Sequence, residues 1–120
     1  MWSTEGPMSD DYATLKSAVE TAGFFTTFQP IKRPGDRIVC ASRQRNSGLG
    51  GNSFWVAKRG EAWFIATWAP RIYRVQESAR LTELCVLLLQ REDEQAYFDF
   101  DEAVRAEFGL VAIRDEEFIA

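Results

Sequence analysis

Ser53-Phe54-Trp55-Val56-Ala57, then Lys58-Arg59-Gly60, then Glu61-Ala62-Trp63-Phe64-Ile65-Ala66-Thr67-Trp68 is the stretch on which the fold turns. Two runs of aromatic and β-branched residues are separated by three residues ending in glycine. That is the pattern of a β-hairpin with Gly60 in the left-handed bulge position. Side chains alternate between the faces of a sheet, so this loop length predicts Trp55 opposite Trp63 and Ser53 opposite Ile65. One face then carries Trp55, Trp63 and Ile65, and the other carries Phe54, Val56, Phe64 and Trp68.

Upstream, Phe24 to Phe28 suits a first strand, and Pro30, Pro34 and Gly35 mark the connection to a second over Asp36 to Arg43. The segment from Gln44 to Asn52 is glycine-rich and almost free of apolar residues, so it reads as a loop. Downstream, Pro70 ends the hairpin and Arg71 to Val75 continues the meander. Contiguous strands joined by short turns predict an antiparallel sheet of four to five strands in an α+β fold, with helices on one face.

The helices are marked by their ends. Ser9 or Asp10 caps a helix over about 10 to 22, in which Tyr12, Leu15, Val19 and Ala22 recur at helical spacing before Gly23. Ser78 caps a second helix with Leu81, Leu84, Cys85 and Leu88 as its core stripe. Val86, Leu87 and Leu89 fill much of the remaining circumference and make this the most buried helix. Asp99 and Glu102 read as the N-cap and N3 residues of a capping box for a third helix, ending at Phe108 before Gly109. These last two helices, both C-terminal, are expected to pack on one sheet face. Leu110 to Ile113 is a closing strand or an extended tail, and Asp115-Glu116-Glu117 is expected to be solvated.

A chain of 120 residues with 46% apolar and 27% charged residues matches one globular core. Residues 1–8 carry a Gly-Pro breaker and no periodicity, so they read as a flexible N-terminal lead, leaving 9–120 as one domain. No apolar run approaches the roughly 20 residues of a membrane span, and the N-terminus lacks a basic-then-apolar signal pattern. No membrane partner and a cytoplasmic location are expected. Cys40 and Cys85 lie in apolar runs and are expected to be buried, reduced thiols.

Composition also restricts chemistry. The chain contains no histidine, which removes Ser-His-Asp and Cys-His nucleophilic systems and the usual His-containing zinc sites. Two cysteines cannot close an all-thiolate zinc site, so neither a metal nor a cofactor is expected. Paired carboxylates remain as acid/base candidates: Glu92, Asp93 and Glu94, then Asp99 with Asp101, then Asp115 to Glu117. Each also reads as a polar turn, a helix cap or a solvated tail. Gly48-Leu49-Gly50-Gly51 lacks the following helix and the Gly-Lys-Ser/Thr of a phosphate loop. It suits a partner-contact loop bearing Arg43, Arg45 and Leu49.

A net charge of −4 disfavours nucleic acid, whose binding relies on clustered Lys and Arg. Four Trp among 120 residues are the unusual feature, because Trp anchors desolvated interface centres. The sequence therefore points to a non-enzymatic intracellular protein-binding module. The expected form is a bacterial immunity-type or antitoxin-like inhibitor, or a secretion-chaperone-like protein, that blocks a basic toxin or effector. Trp55, Trp63, Ile65, Arg43, Arg45, Leu49, Glu92, Asp93 and Glu94 are its candidate contacts, and a homodimer is compatible with it. The alternatives are a small-ligand or nucleic-acid-binding module using the Arg-rich glycine loop and Trp face, and a carboxylate-dependent enzyme or inactive enzyme relative.

Overall fold

A computed structural model describes residues 10–30, 35–43, 52–68, 71–91 and 99–119. The N-terminal lead, the glycine loop with Arg45 and Leu49, and Glu92, Asp93 and Glu94 lie outside these residues. The chain is α+β. Helix α1 (Asp10–Thr21) precedes strands β1 (Phe25–Gln29), β2 (Arg37–Ala41), β3 (Ser53–Arg59), β4 (Ala62–Ala66) and β5 (Ile72–Val75). A 3-10 turn (Ser78–Arg80) leads into α2 (Leu81–Gln90), followed by α3 (Glu102–Phe108), β6 (Leu110–Ile113) and α4 (Asp115–Ile119). All six strands form one antiparallel sheet in sequence order, one strand more than the sequence suggested, because Leu110–Ile113 pairs with β5.

The hairpin register differs from expectation. Arg59 pairs with Ala62, Lys58 with Trp63 and Trp55 with Ala66, so β3 runs on through Lys58 and Arg59 and the loop is only Gly60-Glu61. Gly60 has φ +61° and is followed by a residue of negative φ, the pattern of a two-residue II′ turn. Moving the loop by an odd number of residues exchanges the faces of β4 relative to β3. Trp63 and Ile65 therefore join Phe54 and Val56 on one face, while Trp55 and Ala57 join Phe64 and Ala66 on the other. Trp55 and Trp63 do not pair, and the single face expected to carry Trp55, Trp63 and Ile65 does not exist.

The first face is the main core. Tyr12, Leu15 and Val19 of α1, spaced by three and four residues, pack on it beside Leu81, Leu84, Cys85, Leu88 and Leu89 of α2 and Val104 and Phe108 of α3. Helix α2 buries the most residues of the four, although Leu87 stays 38% exposed. Each fully buried Leu, Ile or Phe here contributes about 1.5–3 kcal/mol. Trp63 meets Tyr12 edge-on, with ring centroids 5.7 Å apart. The Tyr12 hydroxyl accepts from the Lys58 backbone N–H at 2.7 Å and donates to the Asp36 carbonyl at 3.1 Å, tying α1 to the ends of β2 and β3.

The helix ends also carry corrections. Asp101, not Asp99, precedes α3 as its N-cap residue, and it makes no side-chain capping bond. Asp99 instead accepts the Tyr73 hydroxyl at 2.7 Å and the Phe100 backbone N–H at 2.8 Å. Ser78 opens the 3-10 turn and Arg80 occupies the N-cap position of α2. At the far end of α2, the buried Asn52 side chain donates to the carbonyls of Leu88 (2.9 Å) and Arg91 (3.0 Å), serving as a C-cap supplied by the residue just before β3. Gly109 closes α3 in the left-handed conformation, φ +63°, where an added Cβ would stand 3.0 Å from that of Gln76.

The second face is covered differently. Asp115, Glu116 and Glu117 are exposed as expected, but they belong to α4, whose Phe118 is buried against the sheet. Its ring lies 5.4 Å from Trp55 and 5.3 Å from Phe64. With Ala57 and Ala66 these side chains form a second, smaller core. The acidic C-terminal segment is thus the element that the sequence reading lacked for this face. No helix among the described residues is long and apolar enough to cross a membrane.

Candidate functional site

Beside α4, the second face holds a cleft of about 270 Å³ lined by Arg37, Trp55, Ala66, Thr67, Trp68, Arg71, Ile72 and Asp115. Its floor follows from strand alternation. Trp55 on β3 and Ala66 on β4 are direct partners, and Arg37 enters from β2 on the same side. Thr67 and Trp68 continue the chain past β4, and Asp115 enters from the first turn of α4.

The Arg37 guanidinium lies over two indoles, 5.4 Å from the ring centre of Trp55 and 5.5 Å from that of Trp68. Both separations are within cation–π range. Its Nε donates to Gln29 Oε1 at 2.7 Å, which fixes the plane of the group. Burial lowers the Arg37 pKa from its ordinary value, because the charged form loses hydration. Trp68 is 39% exposed, yet its Nε1 donates to Ser53 Oγ at 2.8 Å. An exposed indole is thereby held at both its polar edge and its ring face.

Several arginines lie on this side, beside the acidic first turn of α4. Arg59 lies over the Phe118 ring at 4.5 Å, and Arg74, paired with Phe64, projects exposed from β5. Arg71 stands at the rim, its side chain 60% exposed and its Nε 4.0 Å from Asp99, the outer limit of an ion pair. Among the described residues Asp115 closes no ion pair with Arg37 or Arg71, and Arg37 has no carboxylate partner.

No family model, curated protein or solved structure matches the chain. The site therefore has to be read from its own chemistry. Among the described residues no three His, Cys, Asp or Glu side chains are grouped to hold a metal ion. Asp99 is committed to Tyr73, and Asp101 pairs with Arg91 at 2.7 Å, so both candidate acid/base groups of that segment are engaged in holding structure.

Of the described residues expected to make contacts, the cleft contains Trp55 alone. Trp63 and Ile65 belong to the main core under α1, and Arg43 lies exposed just past β2, outside the cleft lining. Sequence reasoning placed Trp68 on one face with Phe54, Val56 and Phe64, did not single out Arg37 or Thr67, and offered Asp115 only as an acid/base candidate with Glu116 and Glu117. Trp68 stands two residues before Pro70, past the last paired residue of β4, and a large ring beyond a strand end was the available signal.

Proposed function

We propose that the chain is a binding module that acts by occupying a partner protein, and that the contact centres on Trp68 in the Arg37–Trp55 cleft. The observation that carries this reading is the exposed indole of Trp68, held by Ser53 and by the Arg37 guanidinium. A large side chain fixed before association loses little entropy on binding, and rigid Trp and Arg groups dominate interface energetics. The absence of histidine from the sequence favours binding over turnover. An inhibitor of a toxin or effector is the form we favour, since a preformed aromatic anchor suits stoichiometric occupation of a partner.

Affinity capture from the source cells, run in parallel with wild-type and Trp68→Ala protein, tests the reading once the recovered partner is purified for calorimetry. Truncating a central aromatic anchor costs about 2 kcal/mol or more, so Trp68→Ala should weaken the complex roughly thirtyfold while circular dichroism stays unchanged. A partner bound equally well by Trp68→Ala would move the interface elsewhere.

A further inference from the structure

We propose that the Arg37–Trp55–Trp68 cleft receives one carboxylate side chain from an acidic segment of the partner protein. The inference rests on the binding role proposed above and specifies what enters the site. Arg37 is a partly desolvated cation with no carboxylate partner among the described residues, and two indoles and Gln29 hold it in one orientation. With Nε committed to Gln29, its Nη groups remain as donors, and a fixed guanidinium fork is the geometry that carboxylates match.

Size and charge narrow the occupant. About 270 Å³ lies at the lower edge of the roughly 300–1,000 Å³ of small-molecule sites, room enough for one side chain. Among the lining residues two arginines face one aspartate, which leaves a single net positive charge and fits a carboxylate better than a doubly charged phosphate. Nucleobase stacking is disfavoured because the guanidinium already lies over both indoles. Ala66, Ile72 and the Trp55 ring supply apolar walls for the methylenes of a Glu or for a neighbouring aliphatic side chain.

Panning a random twelve-residue peptide display library on the immobilised protein tests the proposal. The expected result is a consensus with Asp or Glu at one fixed position beside an aliphatic or aromatic residue. A synthetic peptide of that consensus should bind wild-type protein at least tenfold more tightly than its Gln or Asn counterpart. Arg37→Gln should lose the same factor, and Trp68→Ala should lose binding as well. The peptide substitution tests the charge contact on unaltered protein, so it stands even if Arg37→Gln disturbs the sheet. A Trp68-dependent consensus with no acidic position would overturn the carboxylate proposal and leave the binding role intact. Failure to enrich any peptide sensitive to Trp68 or Arg37 would overturn both. Displacement of the acidic peptide by equimolar inorganic phosphate would assign the site to phosphate chemistry and overturn the proposal too.

Discussion

Phe118 packs its ring 5.4 Å from that of Trp55, and through this contact a five-residue acidic helix covers part of a sheet face rich in apolar side chains. Sheets with apolar residues on both faces must cover both. Here α1, α2 and α3 cover one side, and α4 covers part of the other through a single aromatic plug.

Phe118→Ala should therefore destabilise the protein by about 3 kcal/mol, the low end for truncating a buried Phe. Urea unfolding should show a lowered midpoint, and a hydrophobic dye should bind the uncovered Trp55–Phe64 surface. Glu116→Ala and Glu117→Ala, on the solvent side of the same helix, should each change stability by less than about 0.5 kcal/mol.

Asn52 offers a second test, because its amide nitrogen serves two carbonyls at the end of α2 from the residue just before β3. Asn52→Ala leaves both carbonyls without this donor in a buried setting, at about 1–3 kcal/mol for an unsatisfied buried group. Hydrogen exchange should report it locally, with the last turn of α2 losing protection before the centre of the sheet does.

Helices α1, α2 and α3 were legible because their signals are local, whereas α4 was read as a solvated tail. The spacing of Tyr12, Leu15 and Val19 and the stop at Gly109 need no tertiary information. The hairpin register was not legible, since Gly60 fits either a three-residue bulge loop or a two-residue II′ turn. The alternation could not arbitrate, because Trp55 and Val56, like Trp63 and Phe64, are apolar on both faces. The structure keeps the two-residue turn together with contacts distant in sequence, among them the Tyr12 hydroxyl with the Lys58 N–H, 46 residues away. The cleft inherits that difficulty. Arg37, Trp55, Trp68, Arg71 and Asp115 come from separate strands, strand ends and α4, and no spacing along the chain announces them.

Cys40 on β2 and Cys85 on α2 are both free and fully buried, which makes stability sensitive to alkaline pH. The Cys85 thiol is held well above its ordinary pKa by its hydrogen bond with Cys40 and by burial. A thiol whose pKa is raised in the folded state keeps its proton while the unfolded chain gives its proton up. Stability is therefore fully present below the unfolded thiol's value of about 8.5 and declines as pH rises past it, by up to about 1.4 kcal/mol per pH unit for one such group. Tyr73, whose pKa is raised by burial and by Asp99, adds a loss in the same direction at still higher pH. Urea midpoints measured from pH 7.5 to 9.5 should fall, and the fall should be shallower in Cys85→Ala, which lacks the ionisable group. The cost of Cys85→Ala relative to wild type should accordingly shrink as pH rises. Thiol reagents should label the native protein only at its rate of opening, since both sulfurs are enclosed. Equal pH slopes for wild type and Cys85→Ala would show that Cys85 is not the proton-holding thiol described here, and rapid labelling without denaturant would show that the two sulfurs are not enclosed.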